Sequence, residues 1–195
     1  MGETSRTTIG IAIDIPPPWG EMLTRRRAAA GDPAAEHVPA HLTLLGPTEI
    51  DTAGFPEIER HLAAVAERQP SFPLLLRGTG TFRPVTDVVF VSVATGISEC
   101  ERLHNAVLDT PVIQRERRFP YHPHVTVAHD VAPDQLDAVF ADLARFEATI
   151  DIVGFALFEH CLQADADAGA QARWRVRREY RLCAQRVADG DYRRR

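Results

Sequence analysis

Residues 41–47 read HLTLLGP and residues 120–130 read PYHPHVTVAHD, and the two stretches share one pattern. His41-Leu42-Thr43-Leu44 and His124-Val125-Thr126-Val127 each line up a histidine, an apolar residue, a threonine and a second apolar residue. In a β-strand, residues i and i+2 project from one face and the residue between them from the other. His41 and Thr43 therefore leave one side while Leu42 and Leu44 enter a core. His124 and Thr126 stand in the same relation to Val125 and Val127. Two such strands related by a two-fold axis would gather two imidazoles and two hydroxyls around one cleft.

The flanking sequence reads as a repeat. Alternating Ile9, Ile11, Ile13 and Ile15 predict a strand over 8–15, ended by Pro16–Pro18, with a helix over 19–30. The first histidine strand follows, and Gly46-Pro47 is expected to stop it. Ile58, Leu62 and Val65 predict a helix over 55–68, and strands follow over 72–82 and 87–94 with Arg83-Pro84 in the turn. Ile97, Cys100, Leu103, His104 and Val107 predict a helix over 97–108, ahead of the second histidine strand. A helix over 133–146 comes next. Strands over 149–162 and 173–183 then flank an Ala/Asp-rich loop, and 189–195 reads as a frayed tail. One domain over 1–195 is expected, with pseudo-two-fold halves of about 8–94 and 87–184. Each half runs strand, helix, histidine strand, helix, hairpin, the order of an internal duplication.

Composition narrows the function. All 22 basic residues are arginine. Arginine forks onto phosphate but forms no Schiff base, so lysine nucleophiles and the P-loop signature are ruled out. A net charge of −5 does not suit a protein that coats duplex DNA, although RERR (115–118) and RWRVRREYR (173–181) are locally basic. Cys100, Cys161 and Cys183 are odd in number and far apart, which suits neither a disulfide framework nor a cysteine zinc site. The stretch MGETSRTT has no signal-peptide core, Arg6 breaks the myristoylation pattern, and no run approaches the ~18 apolar residues of a membrane helix. A soluble, cytoplasmic protein without membrane contact is expected.

Two imidazoles and two hydroxyls suit phosphodiester chemistry. Histidine's ordinary pKa of ~6.5 lets one ring act as base and another as acid near neutrality. Threonine hydroxyls can donate to phosphate oxygens. Opening a cyclic phosphodiester needs a base for water, an acid for the departing ribose oxygen and donors for the anionic phosphoryl group. Protonated imidazole supplies positive charge as well as the proton, so no cofactor is required.

HLTLLGP and YHPHVTVAHD resemble the two signature motifs of the 2H phosphoesterase superfamily, and of its 2′-5′ RNA ligase-like (LigT-like) branch in particular. The resemblance implies an α+β, bilobal fold with two antiparallel sheets flanking a central cleft and helices outside. It implies metal-free conversion of 2′,3′-cyclic phosphates, on RNA ends or small nucleotides, to 2′-phosphomonoesters, and in some members reversible 2′-5′ RNA joining. By the same analogy His41 is the proton donor and His124 the base, with Thr43 and Thr126 on the phosphate.

Phe82, Arg83, Arg118 and Tyr121 are further candidates for substrate contact. Trp174, alternating with Val176, is expected to pack against the sheet, and His61 and His104 to lie in amphipathic helices. Two rival readings remain at this stage. His122, His124 and His129 could serve a metallohydrolase, since imidazoles are good zinc ligands. Against this, His129 lies five residues from His124, on the opposite strand face. A nucleotide-binding domain without turnover is the second rival.

Overall fold

The computed structural model describes residues 5–114, 119–165 and 169–184. Its eight strands are β1 (Arg6–Asp14), β2 (His41–Asp51), β3 (Phe72–Thr81), β4 (Val88–Thr95), β5 (His124–His129), β6 (Glu147–Ile152), β7 (Gly154–Asp165) and β8 (Gly169–Arg181). Four α-helices intervene: α1 (Trp19–Ala29), α2 (Phe55–Arg68), α3 (Ile97–Leu108) and α4 (Pro133–Asp142). The strands form one antiparallel sheet in the order β6-β3-β4-β5-β2-β1-β7-β8. Where two sheets were expected, two four-stranded flanks are joined at the centre of one sheet, through the single register pair Leu42↔Val125.

The expected halves are regrouped in space. Strands β3 to β6 make one flank, and β1 and β2 make the other with the last hairpin, β7 and β8. The sequence pattern over 149–162 reads as one strand but is two, because β6 pairs with β3 and β7 with β1. Only Val153 links them, so the sheet must bend until its flanks meet at that end. Gly154 fits there because a Cβ would lie 2.6 Å from the carbonyl oxygen of Tyr180.

Strand β2 also departs from expectation, running through Gly46-Pro47 to Asp51. Its register against β1 shifts twice: Ile9 faces Thr48, Ile11 faces Leu45, and Ala12 faces Thr43. These bulges put extra residues on β2 and leave Pro47 outside the ladder, where its missing N–H costs nothing. Helix α4 is shorter than expected, ending at Asp142.

Alternation decides which face is buried. Ile9, Ile11, Ile13, Leu42, Leu44, Val89, Val91, Val125 and Val127 join Leu23, Ile58, Leu62, Leu103 and Leu136 of the helices in one core. The other face of the central strands carries polar and small residues, with Phe90 of β4 among them. Among the described residues, no helix is long and apolar enough to cross a membrane.

Candidate active site

The Leu42↔Val125 pair fixes the site. Both side chains are fully buried, and directly opposed residues of an antiparallel pair share a face. The residues on either side of each therefore emerge together on the opposite face. Antiparallel register sets His41 beside Thr126 and Thr43 beside His124, so all four predicted residues meet on one open surface.

Neighbouring strands extend this surface. Asp14 on β1 is the register partner of His41, and Ser92 on β4 is the partner of His124. Phe90 lies opposite Thr126. Sequence reading missed these three residues. Each does alternate out of an apolar strand, but the alternation gives no cross-strand register.

The two histidines are held alike. His41 Nδ1 is 2.8 Å from the carbonyl oxygen of Pro39, and His124 Nδ1 is 2.7 Å from that of His122. A carbonyl only accepts, so each Nδ1 carries the proton and donates it. Each Nε2 is then the free position, a lone pair in the neutral ring and an N–H in the charged one. The same ring can therefore serve as base or acid without turning.

Electrostatics lower both pKa values. Burial does most to push His41 down; its bond to Pro39 opposes this, Arg27 adds to it, and Asp14 pulls back. Burial also leads for His124, opposed by the bond to His122, while charge on His122 and on His41 pushes it further down. A proton on His41 thus disfavours one on His124, which favours the one-acid, one-base state.

Supporting contacts anchor each motif. Arg27 and Asp32 form a buried pair, Nε to Oδ2 2.7 Å, and Arg27 also donates to the Val38 carbonyl at 3.3 Å. Thr24 Oγ1 accepts from the Ala40 N–H at 2.8 Å. Together they hold the 38–40 segment, and with it the carbonyl that orients His41. On β2, the Tyr121 hydroxyl donates to the Thr43 carbonyl at 3.1 Å, and His104 Nδ1 bonds the Leu44 carbonyl at 2.7 Å. Their rings stack with centroids 3.9 Å apart, 5° from parallel.

The remaining candidates fall in different places. Phe82 lies edge-on to His124, centroids 5.0 Å apart, and tilted against Phe90 at 4.5 Å. It packs among the rings of His124 and Phe90. Arg83 is paired with Asp137 of α4 at 2.6 Å. Tyr121 braces β2 as just described. Arg118 lies outside the described residues. His129 sits at the far end of β5, next to Asp130. Among the described residues, no group of three or more His, Cys, Asp or Glu side chains is arranged to hold a metal ion.

Known proteins share this fold. LigT of E. coli superposes with a TM-score of 0.64 at 21% identity, covering 93% of this chain and 99% of that one. A Thermus thermophilus protein superposes with 0.61 at 22%, covering 91% and 99%. At such identities the likeness establishes the fold, that of a LigT-like protein. The model of the 2′-5′ RNA ligase superfamily matches residues 15–162, and the chain belongs to that superfamily of 2H phosphoesterases. A Halalkalibacterium halodurans protein bearing the name "putative phosphoesterase" is 27% identical over 108 residues, 54% of this chain and 60% of that protein. The chain thus matches about 60% of that curated relative's length. LigT has also been solved with 3′-AMP, NADP+, ATP and phosphate bound.

Proposed function

We propose that this protein opens 2′,3′-cyclic phosphates, on RNA ends or small nucleotides, to 2′-phosphomonoesters without a metal ion. The observation that carries the reading is the pair of free Nε2 atoms, each ring fixed through Nδ1, on one face with two threonines. In the neutral state His124 Nε2 takes a proton from water as the water oxygen bonds to phosphorus. The P–O3′ bond breaks, and protonated His41 Nε2 delivers its proton to the departing 3′-oxygen. Thr43 and Thr126 hydroxyls donate to the non-bridging oxygens, placed for the charge that develops there. With a ribose 5′-hydroxyl in place of water as the nucleophile, the same opening would join 2′-5′ ends, and its reverse would cleave them. The donor role of His41 follows from the family resemblance; the charge of Asp14 beside it favours the protonated ring, against burial and the charge of Arg27. The nucleotide complexes of LigT support a nucleotide as substrate.

The test is turnover of 2′,3′-cyclic AMP by protein treated with EDTA. Turnover that persists, giving the 2′-phosphate, is expected. Activity that EDTA removes and zinc restores would instead favour the metallohydrolase. Nucleotide binding with no turnover of cyclic AMP or of a cyclic-ended RNA would favour the binding domain.

The pH profile follows from the site. The base must be neutral and the acid charged, so kcat/KM should be bell-shaped. Both imidazoles lie below their usual 6.5, so its maximum should fall on the acid side of that value. A maximum above pH 8 would contradict a pair of depressed histidines.

A further inference from the structure

The open face continues past the histidines onto β7 and β8. Gly10, Ala12 and Asp14 share it on β1, because Ile9, Ile11 and Ile13 between them are buried in the core. Register carries the face outward: Gly10 lies opposite Phe158 and Thr8 opposite His160. Phe158 and His160 in turn lie opposite Val176 and Trp174.

The Trp174 indole leans back across β7 to Gly10. A Cβ at Gly10 would meet its Cζ3 at 3.3 Å and Cη2 at 3.5 Å, so the missing side chain leaves room for the ring. The His160 ring sits beside it, centroids 4.9 Å apart at 43°. Trp174, His160 and Phe158 are only half-buried, and Val176 is exposed. Helix α2 reaches β8 from the other side, where Glu59 pairs with Arg177 and Arg178. The expected packing of Trp174 against the sheet is therefore partial: its ring lies over Gly10 and beside His160, and the residue keeps part of its surface exposed.

We propose that Trp174 and His160 form a base-stacking site for a nucleotide neighbouring the one that reacts. This rests on the proposed reaction and adds to it a preference for a nucleotide chain. Gly10 is four residues from Asp14, the partner of His41, which at ~3.3 Å per residue is about 13 Å along β1. Only the small residues Gly10 and Ala12 share the face on that stretch of β1. A phosphate between the histidines would leave the indole out of reach of its own base and open to the next ones along. Aromatic faces accept any base, because every base has a π-face.

The experiment compares kcat/KM for 2′,3′-cyclic AMP with that for an adenosine hexaribonucleotide bearing the same cyclic end. The hexamer should be favoured on the order of 10-fold or more, the scale of a single base stack. Trp174→Leu should cost the hexamer at least about ten times more than cyclic AMP, mainly in KM, and Trp174→Phe should restore most of the loss. Equal losses on both substrates, or no loss, would overturn the stacking site. A binding measurement covers the case in which Trp174→Leu does not fold. In protein carrying Trp19→Phe and His124→Ala, a hexamer ending in 2′-phosphate should quench Trp174 fluorescence, and absence of quenching overturns the site. Quenching with no turnover of either substrate would count against the reaction alone. Turnover of both without quenching would count against the stacking site alone.

Discussion

Replacing His124 by alanine should lower kcat/KM for 2′,3′-cyclic AMP by roughly 10²–10⁴, and replacing His41 should do the same. The size follows from the role: a positioned acid or base contributes on that scale when it is within reach of the proton it moves. Here each ring is half-buried and fixed at Nδ1, so alanine removes the Nε2 group together with its orientation. The double variant should lose little more than either single one, because a base without its acid partner gains little, as expected of residues acting as a unit. Stability should barely move, since neither side chain belongs to the core. Steady-state kinetics on all three variants is the measurement. Near-full activity in both single variants would remove the two-histidine mechanism.

Replacing Arg27 by methionine should be among the most destabilising single changes in the molecule. Arg27 and Asp32 are 5% and 4% exposed, and the guanidinium bonds both the Asp32 carboxylate and the Val38 carbonyl. Methionine fills similar volume but leaves a buried carboxylate with only the Ala34 N–H as partner. Breaking a buried pair on one side costs about 3–5 kcal/mol. For a chain of this length each kcal/mol is worth roughly 2–4 °C in Tm, so a fall of about 6–20 °C is expected. Arg27→Met with Asp32→Leu should recover much of it, because no charge is then left unpaired. Thermal melts of the three proteins decide the matter, and a shift under about 2 °C for Arg27→Met would mean that the pair contributes little. The single variant should also lose activity, because the segment that Arg27 holds carries the Pro39 carbonyl that orients His41.

The chain itself announced the histidine motifs, the helices and most strands, because each is a local signal. Period-two alternation marks β1, and 3.6-residue spacing marks α2 and α3. Where local signals misled, long-range pairing overrode them. Gly46-Pro47 looks like a stop, yet β1 supplies a partner along its whole length and bulges absorb the proline. Residues 149–162 look like one strand, and nothing local says that Val153 must carry the chain to the other flank. Arg83 looked free for substrate until α4 brought Asp137 to it. Asp14 was visible as a polar end to an isoleucine run, but its place beside His41 was not.

The sequence by itself determined which residues could do the chemistry and which way they face, because strand alternation follows from the geometry of each residue. Only the tertiary structure decided that both motifs share one surface. That depends on a single pairing, Leu42 with Val125, between segments far apart in the chain, where register is set by burying both side chains at once. The fold likewise decided what surrounds the histidines: a carboxylate beside one, aromatic rings beside the other, and a buried arginine behind the first. No local pattern encodes such neighbours, because they belong to strands and helices that meet only when the core closes.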